Sequence, residues 1–252
     1  MASTIPSLPM NLLDFAILLD VDGTIVDIAP TPDQVRAPAS LRRTLARLLE
    51  RTGGAVALVS GRPIDSIDRI FAPLLLPAIG GHGAEMRPSV DADVRRLTGS
   101  LDDALRRRIA AIAKADSAIL VEDKGYAMAL HYRQAPAQEA VIKDAVEAIR
   151  RDLPPGSIEV LPGKSVVEVK VAGFDKGTAL RTLMTCPNFV GRRPIFVGDD
   201  TTDETGFAAM PEFRGVPISV GREVPGVTNG FADPSDVRRW LQRIADGDGL
   251  DE

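Results

Sequence analysis

A single cysteine, Cys186, in 252 residues rules out any intramolecular disulfide, and a reducing compartment, the cytoplasm, is the natural expectation. Histidine is almost as scarce. His82 and His131 are the only two, and their wide separation argues against a histidine metal site. No apolar run approaches the ~20 residues that a membrane span requires. The net charge of −5 comes with interspersed signs and no basic stripe, which argues against a nucleic-acid partner. The densest cationic run, Arg106–Arg108, falls inside a helical pattern and reads as a solvated face. From Met1 to Leu13 there is no basic residue, and Pro6 and Pro9 interrupt the stretch, so no secretory leader is expected. Internal repeats and low-complexity tracts are also missing. What remains is ordinary globular composition, 44% hydrophobic and 26% charged, in a chain long enough to bury a core without disulfides or structural metal.

Three short apolar runs each end in a polar cluster. Phe15 to Leu19 leads to Asp20, Ala55 to Val59 leads to Ser60, and Ile195 to Val197 leads to Gly198-Asp199-Asp200. Continuous apolar runs of this length predict strands buried on both faces. Leu41, Leu45, Leu48 and Leu49 mark a helix between the first two, and a second helix is expected from about Lys176 to Met184 before the third. Strand and helix in alternation predict a doubly wound, Rossmann-like parallel α/β core. The middle of the chain reads differently. A helix carrying Leu101, Leu105, Ile109 and Ile112 is followed by two strands, Ala118–Glu122 and Tyr126–Tyr132, around a Lys124-Gly125 turn. A helix from about Ala137 to Arg151 and two more strands, Ser157–Leu161 and Ser165–Val171, complete the set, with Pro162-Gly163 as their turn. This αββαββ order predicts an α+β insert over residues 88–173, splitting a core of residues 1–87 and 174–252.

Ligands of open parallel sheets bind beyond the carboxyl ends of the strands, so the three polar clusters should converge. In Asp20-Val21-Asp22-Gly23-Thr24, residues two apart point the same way, and both carboxylates can face one phosphate. One can attack phosphorus; the other can protonate the leaving oxygen and then activate water. Two carboxylates at ~3 Å repel by about 5 kcal/mol at an effective dielectric of ~20. A divalent cation offsets this, and hard oxygen ligands beside a phosphate point to Mg²⁺. The acidic cluster Asp199-Asp200-Thr201-Thr202-Asp203 supplies the remaining ligands, with Asp199 best placed at the strand end. Ser60 and Gly61 would hydrogen-bond phosphoryl oxygens, and Lys176 would offset transition-state charge. Taken singly, Asp-Gly-Thr is a common turn, and Asp199 to Glu204 reads equally as a helix cap with an acidic first turn. The combination, each cluster closing a buried-strand pattern in order, carries the weight. Two lookalikes fail. An EF-hand starting at Asp20 needs glutamate where Thr31 stands, and a P-loop ending Gly163-Lys164-Ser165 needs glycine where Ile158 stands.

These residues resemble the haloacid dehalogenase-like phosphohydrolases. Asp20–Thr24, Ser60-Gly61-Arg62, Lys176-Gly177 and Gly198–Asp203 are similar to the four motifs of that superfamily. Within it, nearly the whole chain resembles the trehalose-6-phosphate phosphatase family. The carrying segments are Asp20–Val35 with Pro32-Asp33-Gln34-Val35, Gly81-His82-Gly83-Ala84-Glu85, Glu122-Asp123-Lys124, His131-Tyr132-Arg133, and Gly163-Lys164 through Glu168. The resemblance implies Asp20 as nucleophile and metal ligand, and Asp22 as acid/base with its backbone carbonyl on Mg²⁺. It implies Asp199 as the completing ligand with Asp203 in support, and a cap that contacts the sugar and closes to exclude water. Asp27, and Gly173-Phe174-Asp175 before Lys176, depart from the family pattern away from the catalytic positions.

Read from the residues, a disaccharide is a field of hydroxyls that suits carboxylates and amines. Glu122, Lys124, Lys164 and Glu168 form two such pairs on neighbouring strands, and Glu122 and Lys124 should share a face if Asp123 alternates with them. Each could equally be an exposed salt bridge. The chain uses 24 arginines and only six lysines, yet Lys124, Lys164, Lys170 and Lys176 all fall in these segments. A compact ammonium is not interchangeable with a guanidinium. His82, Gly83 and Arg133 complete the expected substrate set, with His131 weighted toward a structural strand position and Arg62 open between a core ion pair and substrate. Trp240 reads as packing and Asp246–Glu252 as a frayed tail. The expected partner is a small-molecule sugar phosphate, with neither nucleic acid nor membrane, and a monomer is the default. Alternatives are a phosphatase for sucrose phosphate or mannosyl-phosphoglycerate, a non-catalytic sugar-phosphate-binding module, and a phosphoacceptor signalling domain.

Overall fold

A computed structural model describes residues 11–29, 34–163 and 165–247. Pro32, Asp33 and Lys164, most of the expected leader-free start, and residues 248–252 of the expected tail lie outside them. In chain order the elements are β1 (Phe15–Asp20), α1 (Ala39–Arg51), β2 (Val56–Val59), α2 (Ile64–Phe71), β3 (Ala78–Gly80), β4 (Glu85–Arg87), β5 (Arg95–Arg96) and α3 (Asp103–Ile112). Then come β6 (Leu120–Asp123), β7 (Ala127–His131), α4 (Glu139–Arg151), β8 (Ile158–Gly163), β9 (Val166–Val171) and α5 (Lys176–Leu183). The chain ends with β10 (Arg193–Gly198), α6 (Glu204–Ala209), β11 (Val216–Val220), β12 (Asn229–Phe231) and α7 (Pro234–Asp246). Two compact units result, one running to Leu97 and resuming at Asp175, the other Thr98–Phe174.

The larger unit is an eight-stranded sheet in the order β12-β11-β10-β1-β2-β3-β4-β5. From β12 to β3 every neighbouring pair is parallel; β4 and β5 join antiparallel. Strands β1 and β2 are buried at every position, as helices on both faces require. Leu41, Leu45 and Leu48 of α1, Ile64 and Ile67 of α2, and Trp240 and Leu241 of α7 pack with Ile17 and Leu19 of β1. On the other face Leu180 and Leu183 of α5 and Phe207 of α6 pack with Ala16 and Leu18. The chain leaves β1 toward β2 and returns through β10 on β1's other side. This reversal is the switch point at which such sheets bind ligands.

The insert was expected to open at residue 88; the compact unit opens at Thr98. Arg95 and Arg96 pair with Met86 and Glu85, and the Leu97 N–H donates to the Ala84 carbonyl at 2.7 Å. These ladder bonds hold the segment to the core sheet. They are backbone contacts made by two exposed arginines, which leave no apolar pattern to read. Within the insert, four strands run β6-β7-β9-β8, all antiparallel. Ile109 of α3 and Ile142 and Val146 of α4 cover Met128, Leu130, Val167 and Val169 on one sheet face. The expected Pro162-Gly163 turn is instead strand: these residues pair with Val167 and Val166, and Ser165 takes the left-handed φ of 62°. Among the described residues no helix is long and apolar enough to cross a membrane.

Helices α5 and α6 approach so closely that a Cβ on Gly177 would collide with the backbone carbonyl of Thr205. The Gly177 N–H also donates to Thr205 Oγ1 at 3.2 Å. Gly177→Ala is therefore expected to lower folding stability by about 1–3 kcal/mol in urea denaturation, although alanine alone favours a helix by ~1 kcal/mol. A neutral or stabilised variant would mean that α6 can move aside.

Candidate active site

Asp20 is the last residue of β1, and the chain turns sharply after it. The Val21 carbonyl accepts the N–H groups of Ile25 and Val26 at 3.0 and 3.1 Å, and the Gly23 N–H donates to the Val26 carbonyl at 2.9 Å. Gly23 is required twice over. Its φ is +82°, and a Cβ there would strike the Asp199 carboxylate, so only glycine lets the two loops meet. Thr24, fully buried, donates from Oγ1 to Asp199 Oδ1 at 3.0 Å. The loops after β1 and β10 are thus tied side chain to side chain.

Lys176 opens α5 and is buried between two carboxylates. Its Nζ lies 2.7 Å from Asp20 Oδ1 and 2.6 Å from Asp203 Oδ1, and the three side chains are 2%, 6% and 0% exposed. Burial disfavours the ammonium, but Asp20 and Asp203 outweigh it and raise the lysine's pKa above its ordinary value. Asp203 also accepts the Asp199 and Asp200 N–H groups on Oδ2 at 3.1 and 2.9 Å. Both of its oxygens are therefore engaged in shaping the loop. Burial raises the carboxyl of Asp20 well above the usual range, with Asp203 and Asp199 adding to it while Lys176 pulls down. Asp199 is raised too, by burial first and then by Asp203 and Asp200, although hydrogen bonds from Thr24 and Asp20 oppose this.

Asp20, Asp199 and Asp203 each bring an oxygen within 4.8 Å of the others. At that spacing two full charges repel by about 3.5 kcal/mol at an effective dielectric of ~20. A cation seated among these oxygens would relieve that repulsion. This all-oxygen set fits a hard divalent metal ion, with Asp20 and Asp199 offering the available oxygens.

Ser60 follows β2 and is buried. Its Oγ accepts the Arg62 N–H at 3.1 Å, which leaves its own hydrogen free to donate. Arg62 resolves toward the core ion pair: Nε and Nη2 reach Asp22 Oδ2 and Oδ1 at 2.6 and 2.8 Å. That fork fixes the plane of the Asp22 carboxylate. Arg62→Ala is accordingly expected to lower kcat about 10- to 100-fold, and Arg62→Lys to recover only part, lacking the fork. A kcat within twofold of the parent for the alanine variant would show that Asp22 is held by something else. Glu85 went unassigned in the sequence; its Oε2 accepts the Ile64 N–H at 2.9 Å and caps α2. The His82 ring packs over Gly61, and the His82 backbone N–H donates to the Ser60 carbonyl at 3.0 Å, with the residue's φ at 55°. Gly83, expected at substrate, lies against the Asp175 carbonyl, where no Cβ would fit.

In the insert, the sheet face opposite the helices carries Glu122, Lys124, His131, Glu168 and Lys170. The expected pairs are rearranged. Lys124 Nζ meets Glu168 Oε2 at 2.7 Å with both side chains nearly buried, while Glu122 meets His131 Nε2 at 3.1 Å. Register explains it: Glu122, Ala129 and Glu168 are neighbours across three strands. Small Ala127 and Ala129 on the middle strand let Lys124 cross over. Glu168 Oε1 is buried without a hydrogen-bond partner. Lys170, buried, binds Glu159 Oε2 at 2.7 Å and the Phe174 carbonyl. Arg133 is exposed.

A family model described as trehalose-phosphatase matches residues 18–235. The chain belongs to the trehalose-phosphatase family. It is 39% identical over 221 residues to a probable trehalose-phosphate phosphatase of Sinorhizobium fredii, covering 87% of this chain and 82% of the relative. With trehalose-6-phosphate phosphatase of Escherichia coli K12 it is 37% identical over 235 residues, covering 91% and 86%. The crystal structure of a trehalose-6-phosphate phosphatase related protein matches with a TM-score of 0.71 at 26% identity, covering 91% and 96%. Members of this family are phosphoric monoester hydrolases of the haloacid dehalogenase-like fold, and this chain is one of them. Thr24, Glu85 and the Arg62–Asp22 fork were not assigned from the sequence. Thr24 stood inside the quoted motif, but nothing local announces that its hydroxyl reaches a residue 175 positions away.

Proposed function

We propose that this protein hydrolyses trehalose 6-phosphate to trehalose and inorganic phosphate, the last step of trehalose biosynthesis, in the cytoplasm. The observation that carries the reading is the buried meeting of Asp20, Asp203 and Lys176 beside Asp199, at the carboxyl ends of β1 and β10. An Asp20 oxygen attacks phosphorus, an O–P bond forms, and the bond from phosphorus to the sugar oxygen breaks. Asp22 gives its proton to that leaving oxygen. It then takes a proton from water as the water attacks phosphorus; the bond to Asp20 breaks and phosphate departs. Ser60 and Gly61 hold phosphoryl oxygens, and Lys176 offsets their charge. Mg²⁺, held by Asp20 and Asp199, the Asp22 backbone carbonyl and the loop fixed by Asp203, would neutralise charge between carboxylates and phosphate. Sugar hydroxyls are assigned to the polar sheet face of the insert, where the partnerless Glu168 Oε1 supports the assignment. Glu122, Lys124 and Arg133 share this part, with Lys164 by family resemblance.

Phosphate release from trehalose 6-phosphate, sucrose phosphate, mannosyl-phosphoglycerate and glucose 6-phosphate, with and without chelator, tests this. We expect kcat/KM for trehalose 6-phosphate to exceed that for glucose 6-phosphate about a hundredfold or more, and chelator to stop the reaction. Equal rates on the two would defeat the substrate assignment.

A further inference from the structure

We propose that Arg222 is a positioning residue for the metal-binding loop, setting metal affinity from outside the site without touching the ion. The inference rests on the divalent-metal reading above. Inside the site, the loop from Gly198 to Asp203 is held by the two N–H bonds to Asp203 Oδ2 and by Thr24 on Asp199. Asp199 of this loop borders a cleft of about 390 Å³ that is also lined by Gly23, Asp27, Gly221, Arg222 and Asp233. Arg222, from the β11–β12 connection, crosses there. Its Nη2 lies 3.2 Å from the Asp200 carbonyl and 2.5 Å from Glu204 Oε1. One amino group thus grips the residues just before and just after the turn Thr201–Asp203.

A second observation separates this from a chance surface contact. Arg222 Nε is buried with no hydrogen-bond partner. An arginine that served only solvation would turn that donor to water; this one is held inward by what its tip grips. The consequence for the ion follows from Mg²⁺ itself, which demands near-ideal octahedral geometry. Freedom in Asp199 therefore costs affinity, and residues that orient metal ligands typically change affinity about 10- to 100-fold.

Charge and position predict opposite signs, which makes the test decisive. As a nearby positive charge alone, Arg222 repels the cation, and removing it would tighten binding. As a strap, removing it weakens binding. Titration calorimetry of the full chain with MgCl₂, without substrate, reads this directly, alongside melting temperatures with chelator. Arg222→Ala is expected to raise the Mg²⁺ Kd about tenfold, and Arg222→Lys to return it to within about threefold of the parent. An unchanged or lower Kd for Arg222→Ala, with only the metal-free melting temperature reduced, would overturn the inference and leave the metal reading intact. No Mg²⁺ binding by the parent would overturn both. Should Arg222→Ala not fold, Glu204→Gln keeps the arginine and weakens one contact. Its Kd should rise about threefold, and no rise would overturn the inference.

Discussion

Asp20→Asn is expected to lower turnover of trehalose 6-phosphate by about 10⁴-fold or more, the scale seen when a nucleophile is removed, while leaving the fold standing. The substitution is nearly isosteric, but an amide oxygen cannot form a stable acyl phosphate by attacking phosphorus. What makes the experiment informative is its second readout. Burial, then Asp203, then Asp199 hold the Asp20 carboxyl well above its ordinary pKa, against the pull of Lys176. A folded-state pKa above the unfolded value means that the folded protein binds the proton more tightly. Ionised Asp20 therefore opposes folding as pH rises above the ordinary carboxyl range. The amide carries no charge to bury. At pH 7 with chelator, the variant's melting temperature should equal or exceed the parent's, and the rise on adding MgCl₂ should shrink. Activity within about tenfold of the parent would rule out Asp20 as nucleophile. A metal-free melting temperature well below the parent's would mean that the ion pair with Lys176 outweighs the cost of the buried charge.

The strands that position this chemistry were legible because they are buried on both faces. Phe15–Leu19 and Ile195–Val197 have no polar side to confuse the pattern, and each ends where β1 and β10 deliver Asp20 and Asp199. The flanking strands were not legible. Ala78–Gly80 and Asn229–Phe231 are each three residues long, and the second holds a single apolar side chain, Phe231. Val216–Val220 contains Pro217, which argues against a central strand, yet it lies between β10 and β12. Pro217 pairs only with Phe196 of β10, since the pairing with β12 starts at Ile218. Motif residues were read by type and order, and so was the insert's αββαββ sequence. Pairing between side chains was not readable. That Lys124 meets Glu168 rather than Glu122 depends on β9 lying beside β7 and on two alanines between them. Arg62 on Asp22, Glu85 on α2 and Arg222 on the acidic loop are likewise contacts that only the folded register creates.

Lys176→Met should be the most destabilising single change at the site. The lysine's Nζ is shared by two carboxylates whose side chains are as buried as its own. Removing one member of a buried ion cluster leaves the others uncompensated, at a cost of about 3–5 kcal/mol. Here two anions remain within 4.8 Å of each other and of Asp199, so the upper part of that range is expected in chelator. Two rescues distinguish charge from packing. Under the proposed metal reading, Mg²⁺ would place positive charge among the same oxygens, so saturating metal should restore part of the lost stability. Combining Lys176→Met with Asp20→Asn removes one of the stranded anions, and the double variant should be about 1–3 kcal/mol more stable than the sum of the single effects. Neither rescue returns catalysis. Metal and amide relieve the resting protein, but neither aims an ammonium at the phosphoryl oxygens, and kcat should stay about 10²- to 10³-fold down. Urea denaturation with and without MgCl₂, beside steady-state rates, reads all of this. If the single variant lost less than 1 kcal/mol in chelator, Asp20 and Asp203 would have to be protonated or hydrated without the lysine, and the buried charge balance drawn for this site would be wrong.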